Sequence, residues 1–195
     1  MKQEFTLTVY TENQVGLLNK IAIIFSRRKI NLESLNTSPS EIENIYRFTI
    51  VIIETQTVVQ NLVRQLEKIV DVFKVYYNTN DQIIWQIMAL YKVPTSVIIK
   101  DIKVERLLRE YGAKAVVIRE DYTVFETTGQ DEEINKLLAY FETYNLIEFV
   151  KTSRIAIIKS SQGIHQKILD MEQNDPTNKP INNEYLNHKS MIFQM

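Results

Sequence analysis

The chain has 195 residues, with 23 basic and 24 acidic side chains, no cysteine and 45% apolar content. That length holds one large domain or two small ones around a real core. The lack of cysteine excludes disulfides and thiol catalysis and fits a reducing compartment, and the balanced charge gives no reason to expect nucleic acid or an anionic membrane as a partner.

No run of about 18 apolar residues occurs, so no membrane-spanning helix is expected. The opening MKQEFTLTVY lacks a signal peptide's apolar core. The expected location is cytoplasmic.

Phe5, Leu7 and Val9 alternate with Thr6, Thr8 and Tyr10, the period of a half-buried strand. Leu17, Leu18, Ile21, Ile24 and Phe25 then fall on one face of a helix. Arg27, Arg28 and Lys29 occupy its last turn, where cations suit the carbonyl end. Residues 30–37 read as a strand, 39–44 as a turn and 45–54 as a second strand. Val58, Val59, Leu62, Val63 and Leu66 form another helical stripe. Residues 70–77 close this half as a β-branched and aromatic strand.

After the polar break NTNDQ at 78–82, the order repeats. Residues 83–93 read as a strand carrying Trp85, the one tryptophan. Val104, Leu107, Leu108 and Tyr111 mark a helix, and Gly112 sits where a cap glycine belongs. Residues 113–119 and 122–128 form a hairpin about Glu120 and Asp121. Ile134, Leu137, Leu138 and Phe141 mark the next helix, and 146–158 the last strand, bent near Thr152 and Ser153. From 159 onward the chain is polar and weakly periodic, read as disordered or as a loosely docked arm. Met191, Ile192 and Phe193 near its end could act as an anchor.

The predicted fold class is α+β, with two tandem ferredoxin-like βαββαβ domains, 1–78 and 82–158, and a polar tail, 159–195. Each is expected to be a four-stranded antiparallel sheet with both helices on one face. In 45–54 both alternating sets carry apolar members. The opposite sheet face is therefore expected to be covered too, by dimerisation or domain stacking.

The turn between the first strand and helix, TENQVG, holds the chemistry. A helix N-terminus leaves about four N–H groups without partners, at the positive end of the dipole. A carboxylate can sit there. Gly16 would let it approach, and Asn13 offers donors and an acceptor beside it. A free α-amino acid suits such a site. The plainer reading is that Asn13 or Thr11 caps the helix while Gly16 relieves a tight turn, and the residues alone leave both readings open.

Further motifs narrow the choice. Glu12-Asn13-x-x-Gly16-x-Leu18, Phe25-Ser26-x-Arg28, Asn31-Leu32-Glu33-Ser34-Leu35, Pro39, Arg47-x-Thr49-Ile50 and Leu66-x-Lys68-x-Val70-Asp71-Val72-x-Lys74-Val75 follow in order across 5–77. This stretch resembles the regulatory small subunit of acetolactate synthase (acetohydroxyacid synthase), an ACT-domain family. From 83 to 158 the likeness rests on element order and on Lys151-Thr152. Beyond 158 no counterpart aligns.

The resemblance implies a non-catalytic regulatory subunit in the biosynthesis of valine, leucine and isoleucine. It would activate a large catalytic subunit and confer allosteric feedback inhibition by valine or another branched-chain amino acid. The effector would bind between two ACT domains of a homodimer. Asn13 and the main chain of Gly16, Leu17 and Leu18 would hold its polar groups. Asn31 and Leu32 would reach across from the partner chain. The side chains of Leu17, Leu18 and Leu32 would enclose its apolar part. Thiamine diphosphate, magnesium and FAD would belong to the catalytic subunit and none to this chain. The alternatives are an ACT sensor for a different enzyme and a constitutive activator with a vestigial pocket. One departure stands out: Lys29 occupies a position where the family commonly has glycine. A lysine there makes a left-handed cap costlier, or the helix ends differently.

Other chemistry is poorly supported. His165 and His188 lie in the polar tail without cysteine partners, so no metal site is expected. No Gly-x-Ser-x-Gly elbow and no glycine-rich phosphate loop occurs. Asp131, Glu132 and Glu133 suit the first turn of a helix.

Overall fold

The computed structural model describes residues 1–96, 102–161 and 163–174. The expected motif after 174, the cluster Met191-Ile192-Phe193, lies outside the described residues, as do His188 and the side chains of His165 and Val104.

The first half runs β1 (Gln3–Glu12), α1 (Leu17–Arg27), β2 (Ser34–Pro39), β3 (Ile45–Glu54), α2 (Gln56–Leu66) and β4 (Val72–Thr79). Its sheet has the order β2-β3-β1-β4, every neighbour antiparallel. The alternation read from the sequence decides the faces. Phe5, Leu7 and Val9 meet Phe48, Ile50 and Ile52 and pack under Leu17, Ile21 and Phe25 of α1 and Val59, Leu62 and Leu66 of α2. Each such side chain contributes roughly 1.5–3 kcal/mol by leaving water.

After a 3-10 turn at Asn80–Gln82, the second half repeats the order as β5 (Ile83–Pro94), α3 (Ile102–Glu110), β6 (Lys114–Ile118), β7 (Tyr122–Gly129), α4 (Asp131–Glu142) and β8 (Glu148–Lys151). Its sheet runs β6-β7-β5-β8. Tyr91, Phe125 and Phe141 centre its core, with Phe125 and Phe141 stacked at 5.8 Å between ring centroids. The fully buried Tyr91 hydroxyl donates to the Ile134 carbonyl at 2.9 Å. The last strand is interrupted, where the sequence predicts one bent element. Thr152 donates its N–H to the Met88 carbonyl at 2.8 Å, and its hydroxyl takes the Met88 N–H at 3.0 Å. The side chain replaces the next ladder partner, Arg154 lies over the Trp85 ring at 3.9 Å, and the chain resumes as β9 (Ile155–Ile158) beside β5.

The described residues divide into two compact units, 1–84 with those of 156–174, and Trp85–Ile155. The polar stretch after 159 supplies a further helix, α5 (Ile164–Asn174). Of the two states the sequence leaves open, 164–174 takes the docked one. Ile168 and Met171 are buried against Tyr10, Ile42 and Ile45, beside Phe73 and Tyr76. These lie on the sheet face away from α1 and α2, so the chain's own helix covers one end of that face. Tyr76 donates to Asp170 at 3.3 Å, and Lys167 donates to the Tyr10 hydroxyl at 3.4 Å.

Candidate functional site

The turn after β1 is open. Asn13, Gln14 and Val15 are exposed, and α1 starts at Leu17 behind Gly16. Gly16 has φ of 85° and ψ of −5°, a left-handed conformation that disfavours any side chain. A Cβ built there would meet nothing within 4 Å. The glycine therefore answers to backbone conformation and leaves free space above the helix end.

Of the plainer reading, the glycine turn holds and the side-chain cap fails on geometry. Gly16 itself is the N-cap, and no side chain caps α1. The Thr11 hydroxyl donates instead to the Glu12 carbonyl at 2.9 Å. Asn13 makes no side-chain hydrogen bond within the described residues. No acidic side chain stands in the first turn to balance the dipole. The Leu17 N–H is taken by the Gln14 carbonyl at 3.3 Å, while no side chain takes the N–H groups that follow it, which leaves those for an anion.

The other expected residues divide by element. Leu17 is 2% exposed and packs in the core, so only its main chain belongs to the turn; its side chain cannot enclose a ligand while it fills that place. Leu18 is 43% exposed and available. Asn31 and Leu32 are exposed in the connector before β2, which begins at Ser34 rather than at residue 30. Within one chain no hydrogen bond joins them to the turn. Pro39, expected to open a turn, is the last residue of β2.

The helix end between these two groups resolves the lysine question. Lys29 has φ of 56°. Its N–H donates to the Ser26 carbonyl at 3.0 Å, and the Ile30 N–H to the Phe25 carbonyl at 3.1 Å. This is the pattern of a glycine-capped helix, built on a lysine. Ile30 packs in the core with Phe25 and closes the motif.

Asp71, within the Val70-Asp71-Val72 run, carries a role that the sequence does not announce. Its carbonyl accepts the Glu12 N–H at 2.9 Å, and its carboxylate pairs with Lys20 at 2.6 Å. One residue thus fastens the chain entering the turn and the helix leaving it. Only the pairing of β4 with β1 puts Asp71 there, which single-sequence periodicity cannot show.

Family comparisons cover both halves. A model described as an ACT domain like that of the AHAS small subunit matches residues 7–74, and one described as the small subunit of acetolactate synthase matches 86–160. The acetolactate synthase small subunit of Bacillus subtilis is 31% identical over 163 residues, 83% of this chain and 93% of that protein. The chain belongs to the acetolactate synthase small-subunit family. Another member, from Mycolicibacterium smegmatis, is 27% identical across 82% of this chain and 93% of its own length. The crystal structure of the acetolactate synthase small subunit from Thermotoga maritima superposes with a TM-score of 0.73 at 20% identity, covering 82% of this chain and 99% of that one. That likeness shows the shared fold of two ferredoxin-like domains, the class expected from the element order.

Among the described residues no cluster of three or more His, Cys, Asp or Glu could hold a metal, and no helix is long and apolar enough to cross a membrane. Family membership accounts for the motifs at 12–18 and 31–35 together, since both lie inside the matched ACT segment.

Proposed function

We propose that this chain is the regulatory subunit of an acetolactate synthase. It activates a catalytic subunit that carries thiamine diphosphate, magnesium and FAD, and it makes that enzyme sensitive to valine or a related branched-chain amino acid. The chain itself performs no catalysis and holds none of those cofactors. The observation that carries the reading is the uncapped start of α1, open behind Gly16 and braced by Asp71, in a member of this family.

The effector's carboxylate takes the first-turn N–H groups that follow Leu17, whose own N–H is held by the Gln14 carbonyl, and Asn13 takes its ammonium or carboxylate. Leu18 shields its apolar part. Asn31 and Leu32 come from a second copy. What supports the second copy is the position of β2 at the sheet edge, with these two residues leading into it. Regulation needs the effector to bind the low-activity arrangement better; a difference of about 1–3 kcal/mol gives 5- to 150-fold control.

Calorimetric titration with valine, leucine and isoleucine tests the site. Gly16→Asp places a carboxylate against the ligand's own, and Asn13→Ala removes a side chain with no bond in the fold. Saturable binding that both substitutions weaken is the expected result. Binding unchanged in both would place the effector elsewhere, and no binding by a dimeric wild-type chain would leave the sensing role without support.

A further inference from the structure

The face of α1 and α2 away from the sheet carries a concentration of charge that the turn does not use. Arg27, Arg28 and Lys29 end α1, and Arg64 and Lys68 lie at the end of α2. None of the five forms an ion pair among the described residues, although the whole chain has a net charge of −1. The bland explanation, that cations serve the carbonyl ends of their helix, is already met for α1 by the main chain. Its Phe25 and Ser26 carbonyls are taken by the N–H groups of residues 28–30.

The two helix ends are joined instead across a groove. Arg28 Nε donates to Gln65 Oε1 at 2.6 Å. This holds the guanidinium in place and leaves its terminal amino groups for a planar, bidentate acceptor. A cavity of about 390 Å³ opens there, lined by Ile24, Arg27, Arg28 and Gln65. Ile24 gives it an apolar floor, and Ile23 beside it on α1 is 49% exposed. A fixed guanidinium, flanking unpaired cations and an apolar floor together fit a carboxylate-rich segment with an apolar side chain. They do not fit a neutral surface.

We propose that this groove is where the catalytic subunit docks an acidic segment, seating an apolar residue over Ile24 and its carboxylates on Arg27 and Arg28. The assignment rests on the regulatory reading above and names the surface through which it operates. The steering charges Arg64 and Lys68 raise the encounter rate, so the association weakens with salt.

The test is activation of the purified catalytic subunit by titrated wild-type chain, by the double variant Arg27→Glu/Arg64→Glu and by Arg28→Lys. Both residues of the double variant are exposed and bond to nothing in the fold, so the variant stays folded; retained wild-type thermal stability checks this. The expected result is the same maximal rate with a half-maximal concentration raised at least tenfold for the double variant. Arg28→Lys shifts it less, and added salt weakens the wild type more than the double variant. A wild-type chain that activates alongside variants with an unchanged half-maximal concentration overturns the docking surface and leaves the regulatory reading standing. A wild-type chain that never activates overturns both.

Discussion

The Lys20 ammonium lies 2.6 Å from the Asp71 carboxylate, and the carbonyl of the same Asp71 accepts the Glu12 N–H at 2.9 Å. The first contact fixes α1 and the second fixes the end of β1, so the turn between them is clamped at both ends. The carboxylate is only 13% exposed, although Lys20 is largely in water. Asp71→Asn removes the charge pairing and leaves the main-chain bond. The expected cost in urea unfolding is about 0.2–1 kcal/mol. The effect on the effector is larger in kind: a turn free to move binds it several-fold more weakly, which calorimetry reads directly.

Lys29 and Gly112 occupy matching places, each after the first helix of its unit and each left-handed, with φ of 56° and 60°. The lysine bears a conformational cost of about 1–2 kcal/mol that the glycine does not. Glycine's freer unfolded chain returns about 0.4–1 kcal/mol of that difference. Lys29→Gly is therefore expected to stabilise the protein modestly, and Gly112→Ala to destabilise it. Paired denaturant curves with unchanged slopes check both signs.

Met171 is fully buried between α5 and the sheet. Truncating a buried methionine to alanine typically costs about 2–5 kcal/mol. Here the loss is limited by what holds α5 in place, because the helix can leave without unfolding the sheet. Met171→Ala is expected to speed amide exchange across 164–174 at least about tenfold while leaving β1 and β3 protected. Equal acceleration in the helix and both strands would show that α5 is part of the cooperative core.

Buried tyrosines, Tyr10 and Tyr76 under α5 and Tyr91 in the second core, set an alkaline limit. Burial, reinforced by the nearby Asp170 charge, pushes the Tyr76 hydroxyl up to about 12. Burial and the Glu41 carboxylate raise Tyr10 further, and burial alone raises Tyr91. Unfolded tyrosine ionises near pH 10. The neutral hydroxyls therefore lend stability that is complete below about pH 10 and is lost as pH rises toward about 12. Melting temperatures across that window are expected to fall, and Tyr76→Phe is expected to flatten part of the decline.

Most of the fold was legible because periodicity is local. The alternation of Phe5, Leu7 and Val9 and the stripe Leu17, Ile21 and Phe25 each encode a buried face without reference to the rest of the chain. Gly112 announced its cap by identity alone. The site was less legible. Leu17 has the composition of a pocket wall and the burial of a core residue, and only the packed sheet distinguishes the two. Asp71 works through a strand pairing made about sixty residues from the turn in sequence. The helix α5 escaped because its buried side chains, Ile168 and Met171, are few, and the sheet face they cover is what makes the helix stable.

The regulatory role is tested at its centre by the rate of acetolactate formation by the catalytic subunit with this chain added, with and without valine. A clear rise in rate on adding the chain is expected, reversed by valine for the wild type and not for Gly16→Asp. A rate indifferent to the chain would contradict the regulatory role, and valine inhibition retained in Gly16→Asp would contradict the turn as its site.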